Sequence, residues 1–217
     1  MEGTTVVPSV AAVCDVTASR LPGARRSQGE RRGWDRGPGP APLEVRTAGL
    51  GDPLVRPLLE GLAHEYRDVL GHPAEAVSRE LTEHPPSDFE APTGCLLLLL
   101  DRGEPVAGGA YRRFDGPGPA GVAVAELKRV WTAPSHRRRG LARRVLAELE
   151  QRAATAGYER VHLTTGVHQH AAQALYLTLG YARGQELLPG PGTSPVVAFG
   201  KALPAHDLAR VPSGPRG

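Results

Sequence analysis

The sequence predicts a mixed α/β sheet flanked by helices, and three observations carry that prediction. Apolar runs of strand length, foremost Gly94–Asp101 with its five consecutive leucines, alternate with stretches of helical period. Strand Val122–Thr132, helix 140–156 and strand Val161–Thr165 form a strand–helix–strand unit, which implies parallel pairing through a right-handed crossover. Gly71, Gly157 and Gly180 each stand where a helical pattern stops, the place for a residue that tolerates left-handed backbone.

The elements follow in order. Residues 1–41 hold no sustained period and end in a Gly/Pro run, Gly33–Pro40. Such a segment buries too little apolar surface to offset the entropy of ordering it, so a disordered extension is expected. The domain is expected over 42–203, with a flexible tail at 204–217. Leu43–Arg46 reads as a first strand. Asp52-Pro53 opens a helix that Pro57 shifts to a later start, with Leu58, Leu59, Leu62, Ala63 and Tyr66 at helical spacing to about Leu70. A short helix follows over Ala74–Glu83, stopped by Pro85-Pro86. Gly94–Asp101 is a fully buried strand, paired with Pro105–Phe114 through Arg102-Gly103-Glu104. Gly116–Gly121 spells Gly-x-Gly-x-x-Gly, but it carries two prolines and leads into a strand, which excludes a dinucleotide site. Val122–Thr132 is the central strand. Helix 140–156 places Ala142, Val145, Leu146, Leu149 and Ala153 on one face. Strand Val161–Thr165, helix His170–Leu179 and a last strand Val196–Lys201 complete the chain.

Charge narrows the function classes. The chain has a formal net charge of +3, but six arginines against four acids in residues 1–41 supply much of it. Residues 42–202 carry 18 basic and 18 acidic side chains, so the domain is neutral overall and its positive charge is local, at Arg137–Arg144. A local patch without stacking aromatics suits a small anionic ligand better than a nucleic acid. Cys14 and Cys95 are too few for a disulfide framework and read as free thiols, which points to a reducing, cytoplasmic compartment. Only Lys128 and Lys201 are lysines; with abundant Ala, Gly and Pro, that is the composition expected of a GC-rich bacterial genome. No apolar run has the length of a membrane span, so no membrane partner is expected. His168 and His170 form a His-x-His pair without further donors at ligand spacing, so no metal is expected.

The most informative stretch is Glu126–Ala142, a strand ending before Pro134, then a basic turn, then a helix start. Arg137-Arg138-Arg139-Gly140-Leu141-Ala142 fits [Arg/Gln]-x-x-Gly-x-[Gly/Ala]. Unpaired backbone amides and the positive end of the helix dipole make such a start a cradle for a pyrophosphate. Gly140 lets the backbone approach an oxygen closely, and arginines add forked hydrogen bonds. Val130–Ala142 resembles the acetyl-CoA motif of the GNAT superfamily of N-acetyltransferases. Gln169–Tyr181 strengthens the resemblance: Ala172, Leu175, Tyr176, Gly180 and Tyr181 match that family's second motif, while Gln169 stands where Asn is commoner.

The resemblance covers roughly residues 43–202 and implies a GNAT-like fold, acetyl-CoA as co-substrate, and transfer of its acetyl group to a primary amine in a ternary complex. It implies that the backbone of Val130, Trp131 and Thr132 pairs with the pantetheine arm, and that Arg137, Arg138, Arg139, Gly140, Leu141 and Ala142 hold the pyrophosphate. Gln169 and Tyr176 complete the expected cofactor contacts. For catalysis, Glu126 is the candidate base, being the one acid within strand 122–132; the alternative is an ion pair with Lys128, Arg129 or an arginine of a neighbouring strand such as Arg112. Tyr176 is the candidate acid for the leaving thiolate, its alternative a buried ring whose hydroxyl meets a carbonyl. A catalytically silent CoA-binding or sensor module is the competing class, and a homodimer stays open.

Overall fold

The computed structural model describes residues 42–69, 71–188 and 195–204. The expected extension over 1–41, with Cys14, and the tail beyond 204 lie outside the described residues. Among those described, seven strands form one sheet: β1 (Glu44–Thr47), β2 (Cys95–Asp101), β3 (Glu104–Arg113), β4 (Val124–Thr132), β5 (Arg160–Gly166), β6 (Ala182–Leu188) and β7 (Val196–Ala202). Their spatial order is β1-β2-β3-β4-β5-β7-β6. Only the β4–β5 pair is parallel, joined by helix α3 (Leu141–Thr155) as the crossover requires. The mixed sheet and the central place of β4 are as expected from the sequence.

Helices α1 (Arg56–His64) and α2 (Ala74–Thr82) cover one face; α3 and α4 (His170–Thr178) cover the other. This explains the run of leucines in β2. Leu97 and Leu99 pack into the core under α3, while Leu96, Leu98 and Leu100 pack into the core under α1. A strand buried on both faces has no polar side to present. Each such leucine contributes roughly 1.5–3 kcal/mol by leaving water.

The first helix starts later than Asp52-Pro53, as Pro57 leads one to expect, and departs from expectation only in its last turn. Asp52 caps a 3₁₀ turn at Pro53–Val55, its side chain accepting from the Leu54 N–H at 2.9 Å. The α-helix proper starts at Arg56, with Pro57 in its first turn where the missing N–H costs nothing. It then widens into a π-helical turn over Glu65–Val69. β6 was not expected: Ala182-Arg183-Gly184-Gln185-Glu186 shows no apolar alternation, and β6 exists through pairing with β7 at the sheet edge.

Candidate active site

The site begins with a defect in β4. Gly108 pairs with Trp131 and Ala110 with Lys128, so β4 carries an extra residue opposite β3. The extra residue is accommodated at Arg129, whose φ of 57° is left-handed, a conformation uncommon for a non-glycine. A bulge bends its strand. β4 pairs with β5 only at Val124–Arg160, Ala125–Val161 and Glu126–His162, and beyond these the two strands have no register partners. From Leu127 to Thr132 the edge of β4 that faces β5 therefore offers backbone donors and acceptors to a cleft.

The helix start lies at the C-terminal end of that edge. A 3₁₀ turn at Pro134–His136 leads to Arg138 with φ 61° and to Gly140, the N-cap of α3, with φ 76°. A Cβ at Gly140 would meet nothing within 4 Å, so the space in front of it is open. No side chain caps α3, and the N–H of Arg144 bonds the Gly140 carbonyl at 3.1 Å. The amides ahead of it point out of the helix start. Arg138 and Arg139 are exposed beside them. Arg137 is occupied otherwise: its Nη2 donates to Glu65 Oε2 at 2.8 Å and its Nε to the Thr132 carbonyl at 3.3 Å.

Glu126 is buried, 3% exposed, on the sheet face opposite α3. Arg112 Nη2 lies 2.9 Å from its Oε2 and Lys128 Nζ 3.7 Å from its Oε1. Arg112 also holds the exposed Asp115 at 2.7 Å. The neighbouring-strand partner and the same-strand partner named from the sequence are both present. Arg129 donates to the Leu81 carbonyl at 3.0 Å and lies over the Phe89 ring at 4.0 Å. His84 approaches this cluster. Burial, then the cations Lys128, Arg112 and Arg129, push its pKa down to about 3. Asp115, and Asp88 at 3.7 Å, favour the charged ring, but burial and three cations outweigh them.

Tyr176 is fully buried in α4, packed between Tyr181 and Phe199 with ring centroids 5.6 and 5.4 Å away. Its hydroxyl has no hydrogen-bond partner among the described residues, and burial pushes its phenol well above the ordinary value. The carbonyl partner of the bland alternative is thus not there. Gln169 is buried at the β5–α4 turn. Its Oε1 accepts from Thr165 Oγ1 at 2.6 Å and from the Gly166 N–H at 3.1 Å, so its carbonyl fixes the turn from within.

The sequence matches the family model for the Acetyltransferase (GNAT) family over residues 58–181. The chain belongs to the GNAT acetyltransferase family. A presumed acyl-CoA N-acyltransferase from Klebsiella pneumoniae is similar in structure, with TM-score 0.55 and 28% identity over 74% of this chain and 97% of that one. A presumed acetyltransferase from Salmonella typhimurium, solved with its cofactor acetyl-CoA, has TM-score 0.57 and 15% identity, covering 76% and 96%. An aminoglycoside 6′-N-acetyltransferase solved with coenzyme A has TM-score 0.54 and 16% identity, covering 75% and 98%. At those last two identities the likeness shows the fold. No curated protein matches the sequence.

In this GNAT acetyltransferase the two motifs found in the sequence lie one on β4 and the start of α3, the other on α4. Sequence reasoning missed Glu65, which the topology brings to Arg137 from 72 residues away. It missed the left-handed Arg129, for which no residue type gives a signal. Nor does the sequence signal that His84 lies against the buried charges around Glu126. Among the described residues no group of three or more His, Cys, Asp or Glu is placed to hold a metal, and no helix is long and apolar enough to cross a membrane.

Proposed function

We propose that this acetyltransferase transfers the acetyl group of acetyl-CoA to a primary amine, of a small molecule or of an exposed peptide or protein amine, by direct attack in a ternary complex. The observation that carries the reading is the β4 edge from Leu127 to Thr132, unpaired by β5 and leading to the uncapped start of α3. An arm bearing amides pairs with such an edge like an added strand, and a pyrophosphate suits the amides behind it. The open space before Gly140 fits that group. When bound, acetyl-CoA supplies an activated thioester and a thiolate leaving group.

The chain's own residues divide the remaining work. The backbone of Val130, Trp131 and Thr132 holds the pantetheine arm. The amides from Arg138 to Ala142 hold the pyrophosphate, with Arg138 and Arg139 adding charge. Tyr176, kept protonated by burial, is the proton donor to the departing sulfur. Glu126 takes the proton of the incoming ammonium through a water while Arg112 and Lys128 hold its carboxylate in place. The neutral domain and the local charge of the helix start favour this small anionic cofactor over a nucleic acid.

The ion pairs of Glu126 favour one competing reading, a silent CoA-binding module, because they give its buried carboxylate a structural role that needs no catalysis. A thiol-release assay with acetyl-CoA over a panel of amines, amino acids, aminoglycosides and peptides decides. Acceptor-dependent release is the expected result. Tight CoA binding with no release across the panel would establish the silent module instead.

A further inference from the structure

Helix α1 meets the cofactor side of the fold at two places. Gly61 lies so close to β4 that a Cβ there would overlap the indole nitrogen of Trp131. One turn later, Glu65 enters the π-helical turn and its carboxylate receives Arg137, the first residue of the Arg137–Ala142 motif, at 2.8 Å. The second Arg137 contact, to the Thr132 carbonyl, fastens the same guanidinium to the end of β4. Arg137 thus ties three pieces together: the β4 edge, the loop into α3 and the helix on the opposite face. π-helical turns are frequent at functional sites, and this one, at the end of α1, delivers a buried acid to the loop.

The sign of the charge is what makes Glu65 informative. A pyrophosphate is a dianion, and a buried carboxylate paired with the nearest motif arginine opposes it and neutralises a cation that would otherwise attract it. Electrostatics alone therefore predicts tighter CoA binding when the charge of Glu65 is removed.

We propose that Glu65 is a positioning residue for the cofactor loop: by holding the Arg137 guanidinium it fixes the backbone of residues 134–140 in the conformation whose amides meet the pyrophosphate. Arg137 acts through Glu65 and Thr132 rather than as a direct phosphate ligand. The proposal rests on the reading that this loop holds CoA.

The test is calorimetric titration of CoA into the full chain and into Glu65→Gln, Arg137→Gln and the double variant at fixed low salt. Glu65→Gln is expected to weaken CoA binding roughly tenfold although it removes a negative charge; Arg137→Gln is expected to weaken it similarly, and the double variant no more than either. Equal or tighter binding by Glu65→Gln overturns the proposal, as does a double variant whose losses add. Thermal unfolding without ligand separates these effects from folding, since a merely structural residue lowers the melting temperature but leaves CoA affinity of the folded fraction unchanged. If Glu65→Gln does not fold, Glu65→Asp, which keeps the charge and shortens its reach, is judged by the same criterion. Failure of the wild-type chain to bind CoA would sink the functional reading and this proposal with it. Wild-type binding that Glu65→Gln matches would sink this proposal alone.

Discussion

Replacing Tyr176 with Phe removes one oxygen from a site where that oxygen has no partner among the described residues. A buried hydroxyl left unpaired costs about 1–3 kcal/mol of stability. Phe keeps the ring against Tyr181 and Phe199, so nothing is lost from packing. The ligand-free variant should therefore be more stable than the wild type by about 1 kcal/mol, a rise of roughly 2–4 °C in melting temperature for a domain of this size. Turnover should move the opposite way. If the hydroxyl protonates the departing thiolate, kcat falls by roughly 10²–10⁴, while KM for acetyl-CoA changes little because the interaction strengthens only as charge develops on sulfur. The assay is differential scanning fluorimetry beside steady-state thiol release, on one preparation, with the best acceptor from the amine panel. A lower melting temperature would refute the unpaired hydroxyl. A kcat within a few-fold of wild type would refute the role of acid.

Other perturbations follow from single distances. CoA should raise the melting temperature by mass action, and Gly140→Asp should abolish the shift; because a Cβ there has open space, the variant should fold with only the strain of a left-handed Asp. Gly61→Ala should cost about 1–3 kcal/mol, read by urea unfolding, because its methyl drives α1 away from Trp131. Glu126→Gln should cost about 3 kcal/mol by leaving Arg112 and Lys128 buried without their carboxylate, and turnover should suffer most at low pH if Glu126 is the base; an unchanged pH profile would leave it an ion pair only. His84 is held neutral down to about pH 3 in the folded chain, against about 6.5 unfolded, so the unfolded state binds the extra proton as pH falls between those values. Stability should drop by roughly 1 kcal/mol per pH unit across that window, and His84→Gln should flatten the slope in acid titrations followed by circular dichroism.

The elements read well from the sequence are those whose period is enforced by burial. β2, α3 and β5 are recognised because each must present apolar atoms to a core at a fixed spacing, and Gly157 and Gly180, at φ 90° and 81°, end their helices as predicted. What escaped has its cause elsewhere in the chain. β6 is polar and edge-lying, and only β7 makes it a strand. The bulge of β4 sits at an arginine, not a glycine, and is set by how β3 pairs on its other side. The cofactor motif was legible because a phosphate cradle needs particular residues at particular spacing. The engagement of Arg137 was not, because Glu65 is a neighbour in space alone.

That difference also bears on how the two proton-transfer candidates are judged. Tyr176 and Glu126 were both named by position in a motif or strand, yet their surroundings are opposite in kind. The rings of Tyr181 and Phe199 pack against Tyr176, and burial raises its pKa, which keeps the phenol protonated at neutral pH but makes it a weaker acid toward a departing thiolate. Around Glu126 stand Arg112 and Lys128, whose contacts hold the carboxylate in place. The two roles of Glu126 separate kinetically: a base there makes kcat/KM level off at a pH shared by all acceptors, whereas without one kcat/KM rises with pH toward each acceptor amine's own pKa. A rise that tracks each amine's pKa alike in wild type and in Glu126→Gln would leave Glu126 an ion pair only.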